Sequence, residues 1–253
     1  MKKQLIGIGV AALMFAGVVG ANATAVVDEF TADGWIQFAD DDVTVSPGGG
    51  GQAFDAEYLF YKLEDGALSI GLQTGFNVRE GWQTYNGGSD IYYSGDLALS
   101  FDGDDTSYEY GFDFGLYTEN YFTIGDKVSM NGTGKDTAGL YENVVWDSGV
   151  YPGHSSSSPF AMEGGSLVVD NDGINTSNTN AGYDSSRNTY WRTVTLDFAL
   201  LGMDFSGFDA HWTMSCGNDV IEGHAPVPEP ATMLLFGAGL MGLAGTRLRR
   251  KQK

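Results

Sequence analysis

The chain has 253 residues, a formal net charge of −20 and a single cysteine. Between its basic ends 32 acids face six bases, a middle near −26, which excludes nucleic acid and anionic lipid as partners of that region. About two hundred residues suffice for one domain with its own core, and the lone Cys216 excludes an internal disulfide, so packing or bound ions must hold the fold.

The chain opens MKKQLIGIGVAALMFAGVVGANATA. Lys2 and Lys3 precede an apolar run from Leu5 to Val19, and small residues follow at Ala21, Ala23 and Ala25. This basic, apolar, small-residue order predicts a secretory signal peptide over residues 1–25, a substrate of signal peptidase. Cleavage after Ala23 and cleavage after Ala25 fit equally well.

Residues 26–224 read as one domain of strands. AFDAEYLFYK and ALSIGLQT are the first two strand segments. REGWQTYNGGSD is turn-rich and leaves Trp82 and Tyr85 as candidates to stack on sugar rings. In DLALSF, Leu97, Leu99 and Phe101 alternate with Asp96, Ala98 and Ser100. In YEYGFDFGL, Tyr108, Tyr110, Phe112, Phe114 and Leu116 share one face, with DGDDTS as a hairpin loop between the two runs. Residues 152–160 and 171–188 read as long loops. TVTLDFALL alternates through Val194, Leu196, Phe198 and Leu200, and FDAHWTMS through Phe208, Ala210, Trp212 and Met214. Period-two alternation repeated this often predicts antiparallel sheets with one face buried, an all-β, two-sheet sandwich of jelly-roll type. Phe112, Phe114, Leu196, Phe198, Trp212 and Met214 are expected in its core.

Catalytic chemistry is not singled out. His211 and Cys216 stand five apart, which on a continuous strand puts them on opposite faces. His154 and His224 fall in loop and linker sequence, and no metalloprotease, serine-hydrolase or phosphate-cradling motif occurs. Asp102, Asp104 and Asp105 gather carboxylates on one loop and are the candidate Ca²⁺ ligands, although their spacing departs from the EF-hand loop and turn chemistry explains the same residues. Asp40, Asp41 and Asp42, and Asn218, Asp219 and Glu222, add further oxygens. Asn131 and Asn175 begin glycosylation sequons at chance level.

Residues 225–253 form a different kind of segment. Pro228-Glu229-Pro230 is followed by 16 uncharged residues, Ala231 to Thr246, and then by Arg247, Arg249, Arg250 and Lys251. As a helix the uncharged run rises about 25 Å, close to a hydrocarbon core of about 30 Å. The basic cluster stops the helix and holds the C-terminus in the cytoplasm, with the acidic domain outside the inner membrane. The two prolines keep the preceding segment extended and out of the helix.

That order of motif, apolar helix and basic end resembles the PEP-CTERM protein-sorting signal, the tag read by exosortase, a membrane-embedded cysteine protease or transpeptidase of Gram-negative bacteria. The resemblance implies cleavage at the Pro-Glu-Pro region and release of the domain from its transient membrane helix. Three internal blocks, GDLALSFDGDDTSYEYGFDFGLY, VYPGHSSSSPFAM and HWTMSCGNDVIEG, are similar to blocks of one group of exosortase-dependent surface proteins, which bears on fold and location rather than chemistry. The expected function is a non-catalytic exported surface or matrix protein associated with exopolysaccharide or biofilm. The alternative is a secreted polysaccharide-active hydrolase, which would need two carboxylates about 5–10 Å apart in a cleft.

Overall fold

The computed structural model describes residues 24–32, 34–41, 45, 48–88, 90–103, 107–118, 122–124, 127–129, 135, 137–147, 154–169, 173–201 and 206–226. The segments read above as signal peptide, up to residue 23, and as transmembrane helix lie outside them. In chain order the strands are β1 (Ile36–Asp40), β2 (Ala56–Glu64), β3 (Ala67–Thr74), β4 (Trp82–Tyr85), β5 (Asp90–Tyr93), β6 (Leu97–Ser100), β7 (Tyr110–Asp113), β8 (Phe122–Ile124), β9 (Lys127–Ser129), β10 (Gly139–Asp147), β11 (Ala161–Leu167), β12 (Asn178–Asp184), β13 (Thr189–Asp197), β14 (Gly207–Thr213) and β15 (Val220–Pro226). Two single-turn helices, α1 (Asp28–Thr31) and α2 (Phe198–Leu201), accompany them.

The strands form one five-stranded sheet, β1-β2-β3-β13-β12, and one six-stranded sheet, β11-β10-β7-β6-β14-β15, with two small hairpins, β4-β5 and β8-β9. All pairings are antiparallel. Local chemistry sets the β2–β3 hairpin. Asp65 and Gly66 both take positive φ (50° and 81°), as a two-residue turn matching the twist of the strands requires.

The core lies between the two sheets. Leu59, Leu68, Ile70 and Leu196 from the first meet Leu99, Phe112, Phe208 and Trp212 from the second in one buried cluster. Tyr61 and Phe208 cross the gap edge-to-face at 6.0 Å. Phe112, Phe114, Leu196, Trp212 and Met214 are all buried, as their alternation predicts; the side chain of Phe198 is outside the described residues.

Four segments depart from the sequence reading. First, the outer face of the five-stranded sheet is also covered. Val27 and Phe30 lie over Tyr58 and Phe60, with Phe30 and Phe60 stacked at 4.4 Å and Trp35 and Trp191 packed beside them. Second, TVTLDFALL leaves the sheet at Asp197, whose carboxylate accepts from Ala199 N at 2.8 Å and turns the chain into α2. Third, residues 171–188 are not one loop, because β12 runs through them as an edge strand paired with β13 from Thr189 to Thr195. Its Asn178, Thr179 and Asn180 carry no apolar alternation; buried Arg192 of β13 anchors it instead. Arg192 donates to Thr179 Oγ1 (2.9 Å), Val78 O (2.8 Å) and Arg79 O (3.3 Å), and lies over the Phe114 ring. Burial pushes that guanidinium down to about 10. Fourth, His224 lies in β15 rather than in linker sequence, and its Nδ1 meets Asp209 Oδ1 at 2.9 Å.

Candidate functional site

One end of the sandwich collects the residues that a catalytic reading would use. β14 gives way after Thr213 to a turn, closed by Gly217 N donating to Met214 O (2.7 Å), with Gly217 at φ 58°. β14 pairs directly with β6, with His211 opposite Ala98. The chain just before β6 is tied to the end of β14. Gly95 N donates to Thr213 O (3.1 Å), Ser215 N to Tyr93 O (2.9 Å) and Trp212 Nε1 to Gly95 O (3.2 Å). Only glycine fits at position 95, since a Cβ there would stand 2.5 Å from Phe160 O and 2.7 Å from Thr213 O.

The loop before β11 closes the same end. His154 Nδ1 lies 2.8 Å from Cys216 O, and Ser157 Oγ donates to Gly217 O at 2.9 Å. His211 is buried, and its Nε2 faces Ser157 O (3.1 Å) and Pro159 O (3.0 Å), two acceptors, so Nε2 carries a proton. Its Nδ1 stands 3.5 Å from Glu222 Oε2, and this contact holds the Glu222 carboxyl below its ordinary value. Buried Asp96 accepts from Met162 N (3.0 Å) and Thr118 Oγ1 (3.1 Å), and Asp96 N donates to Phe160 O. The three sequence blocks singled out above therefore interlock into one junction. They lie at residues 95–117, 150–162 and 211–223 of the chain, and nothing in the alternation of any one block signals the contact.

Asp219 continues the junction toward the first sheet. It is fully buried, its Oδ2 accepts from Ala56 N (2.7 Å), and Thr213 Oγ1 donates to its backbone carbonyl (2.6 Å). Asp41 hydrogen-bonds this carboxyl. Burial raises the Asp41 pKa, the bond to Asp219 opposes the rise, and the charge of Asp40 adds to it. Two carboxyls joined by a hydrogen bond share a proton.

A second polar cluster lies under the N-terminal segment. Glu57 is fully buried on β2 and accepts from Gln52 Nε2 (2.5 Å), Gln73 Nε2 (2.7 Å) and Thr189 Oγ1 (2.6 and 2.7 Å). The two amides that it fixes reach residues 24–27. Gln73 Nε2 donates to Ala25 O (3.2 Å), Gln73 Oε1 accepts from Val27 N (2.9 Å), and Thr24 Oγ1 donates to Gln52 Oε1 (3.3 Å). Tyr58 Oη adds a bond to Thr24 O at 2.9 Å. No sequence signal marks Glu57, since a glutamate in a strand reads as a solvent-facing residue.

The remaining expected residues scatter. No hydrogen bond joins His211 to Cys216; the latter is buried in the turn, and burial pushes its thiol up to about 12. Asp102 accepts from Ser100 Oγ (3.0 Å), while Asp104 and Asp105 lie outside the described residues. Trp82 and Tyr85 sit on the β4–β5 hairpin, 39% and 47% exposed, three residues apart and so on opposite faces. Tyr85 leans edge-on against Phe54 at 5.7 Å, whereas Trp82 shares its face with exposed Ile91. Asn175 is engaged by Ala138 O, Ser177 N and Ser177 Oγ. Among the described residues no group of three or more His, Cys, Asp or Glu is placed to hold a metal, and no helix is long and apolar enough to cross a membrane. Ala23, Pro228, Glu229, Pro230, Arg247, Arg249, Arg250 and Lys251 lie outside the described residues.

Residues 226–251 match the PEP-CTERM protein-sorting motif. No curated protein and no solved structure matches the chain.

Proposed function

We propose that this PEP-CTERM chain, which its motif marks for export and for exosortase sorting to the surface through a membrane anchor, is a non-catalytic surface or matrix protein that associates with exopolysaccharide in a biofilm. One observation carries the reading: His154, His211, Asp96 and Asp219 have main-chain carbonyls or amides of the junction among their partners. A general acid or base instead needs an open side toward a substrate.

The division of the chain follows the same reading. The leader removed by signal peptidase lies within residues 1–25, residues 26–224 are the sandwich, wound as a jelly roll, and residues 225–253 the sorting segment with its C-terminus in the cytoplasm. The pairings of β3 with β13 and of β6 with β14, strands distant in sequence, support the jelly-roll winding. β15 runs to Pro226, where the matched motif begins, and Tyr61 Oη donates to Pro226 O at 2.9 Å. The sandwich therefore reaches the sorting segment without a spacer. Pro226 to Ala231 spans at most about 18 Å of extended chain, so exosortase meets its substrate with the folded domain close against the membrane.

The polysaccharide contact is assigned to the β4–β5 hairpin, where Trp82 and Ile91 present an exposed apolar face. The test is to incubate the exported domain, recovered from the host surface, with the host's own exopolysaccharide. Retention on the polymer without new reducing ends is expected. Release of reducing ends would favour the hydrolase.

A further inference from the structure

We infer that signal peptidase cuts after Ala23 rather than Ala25, and that Thr24 is the first residue of the exported domain. The inference rests on reading residues 1–25 as a signal peptide. That pattern leaves both sites open, because Ala21-Asn22-Ala23 and Ala23-Thr24-Ala25 present the same small-residue frame. What separates them is the product each leaves for the fold.

Residues 24–31 form a strap across the outer face of the five-stranded sheet. Its apolar half is Val27 and Phe30, both buried against Tyr58 and Phe60. Its polar half is a reader for main chain. Tyr58 Oη donates to Thr24 O, Gln73 Nε2 donates to Ala25 O, Gln73 Oε1 accepts from Val27 N, and Gln52 Oε1 accepts from Thr24 Oγ1. Gln73 is fully buried and is oriented by Glu57 from the opposite side, so its amide is built for this one backbone segment. A cut after Ala23 keeps all four bonds. A cut after Ala25 removes three of them and takes the acceptors away from the Tyr58 hydroxyl and from one Gln73 amide hydrogen. It also places a new ammonium on Val26, beside the buried Val27 whose N–H must still reach Gln73. Loss of the acceptor of a fully buried Gln73 amide hydrogen disfavours that product.

The experiment exports the full chain in its host and reads the N-terminus of the surface form by intact mass and N-terminal sequencing. Thr24-Ala25-Val26-Val27 is expected. A start at Val26 overturns the inference while leaving the signal peptide intact. A start at Met1 overturns the signal-peptide reading itself, and the inference with it. The strap is then tested separately with an aminopeptidase. The wild-type terminus should resist trimming, and Tyr58→Phe, which keeps the ring and removes the hydroxyl bond, should be trimmed about fivefold faster. Gln73→Ala should be trimmed faster still. Equal trimming of all three forms would show that residues 24 and 25 are not held and would overturn the structural argument for Thr24.

Discussion

The junction at one end of the sandwich and the β4–β5 hairpin divide the polar and aromatic chemistry of this domain between them. At the junction, Asp96, His211 and Asp219 are buried and joined to main-chain groups from segments far apart in sequence. On the hairpin, Trp82 and Ile91 are exposed on a short, two-stranded ladder. The difference teaches that residue type alone is a poor guide to a site. The histidines and aspartates that look catalytic hold loops to strands. The exposed Trp82 lies in a segment whose sequence is turn-rich, and it is a sugar-stacking candidate there because such a segment leaves its aromatic rings free.

The comparison breaks most visibly at Trp212, whose ring is fully buried and whose Nε1 reaches Gly95 O. Trp212→Ala should cost roughly 3–5 kcal/mol in chemical denaturation. If it costs less than about 1 kcal/mol, the junction is not the rigid part of the domain. Asp96→Ala comes next. It leaves Met162 N and Thr118 Oγ1 without their carboxylate, and a loss of about 2–3 kcal/mol is expected by the same measurement.

Cys216 sharpens the contrast without altering the fold. With its thiol pushed up to about 12 by burial, alkylation of the native protein at pH 8 should be slower than that of the denatured chain by about a thousandfold or more. Rapid native labelling would mean that the turn after β14 opens. A smaller effect concerns pH. The Glu222 carboxyl is held below its ordinary value of 4.5, chiefly by the contact with His211. A depressed folded value contributes stability that is present above the unfolded value and lost as pH falls through the folded one. Melting temperature should therefore fall on acidification below about pH 4.5, and Glu222→Gln should flatten part of that slope. An unchanged slope would remove Glu222 from the account.

These expectations separate what the sequence could show from what it could not. β6, β7, β13 and β14 were legible because Leu97 and Leu99, or Val194 and Leu196, alternate with residues of the other face, and a half-buried strand leaves that trace. β12 left none, because an edge strand held by Arg192 needs no apolar side chains of its own. The sorting segment was legible because it is read as a linear string, independent of the fold. The junction was not, since Ser157, just before β11, meets Gly217, just after β14, only once the six-stranded sheet has brought those distant segments together. The same holds for Glu57 beneath the N-terminal strap.

Trp82→Ala should change stability least of all, by under about 1 kcal/mol, because its ring is partly in solvent. It is also the most direct probe of the central claim, that this is a non-catalytic domain binding polysaccharide through the hairpin. The measurement is co-sedimentation of the exported domain with the host's exopolysaccharide, wild type against Trp82→Ala, with reducing ends assayed in the same tubes. The account predicts retention of the wild type, a loss of about tenfold in apparent affinity for the variant, and no new reducing ends from either. Equal retention of both forms, or polymer cleavage by the wild type, would contradict it.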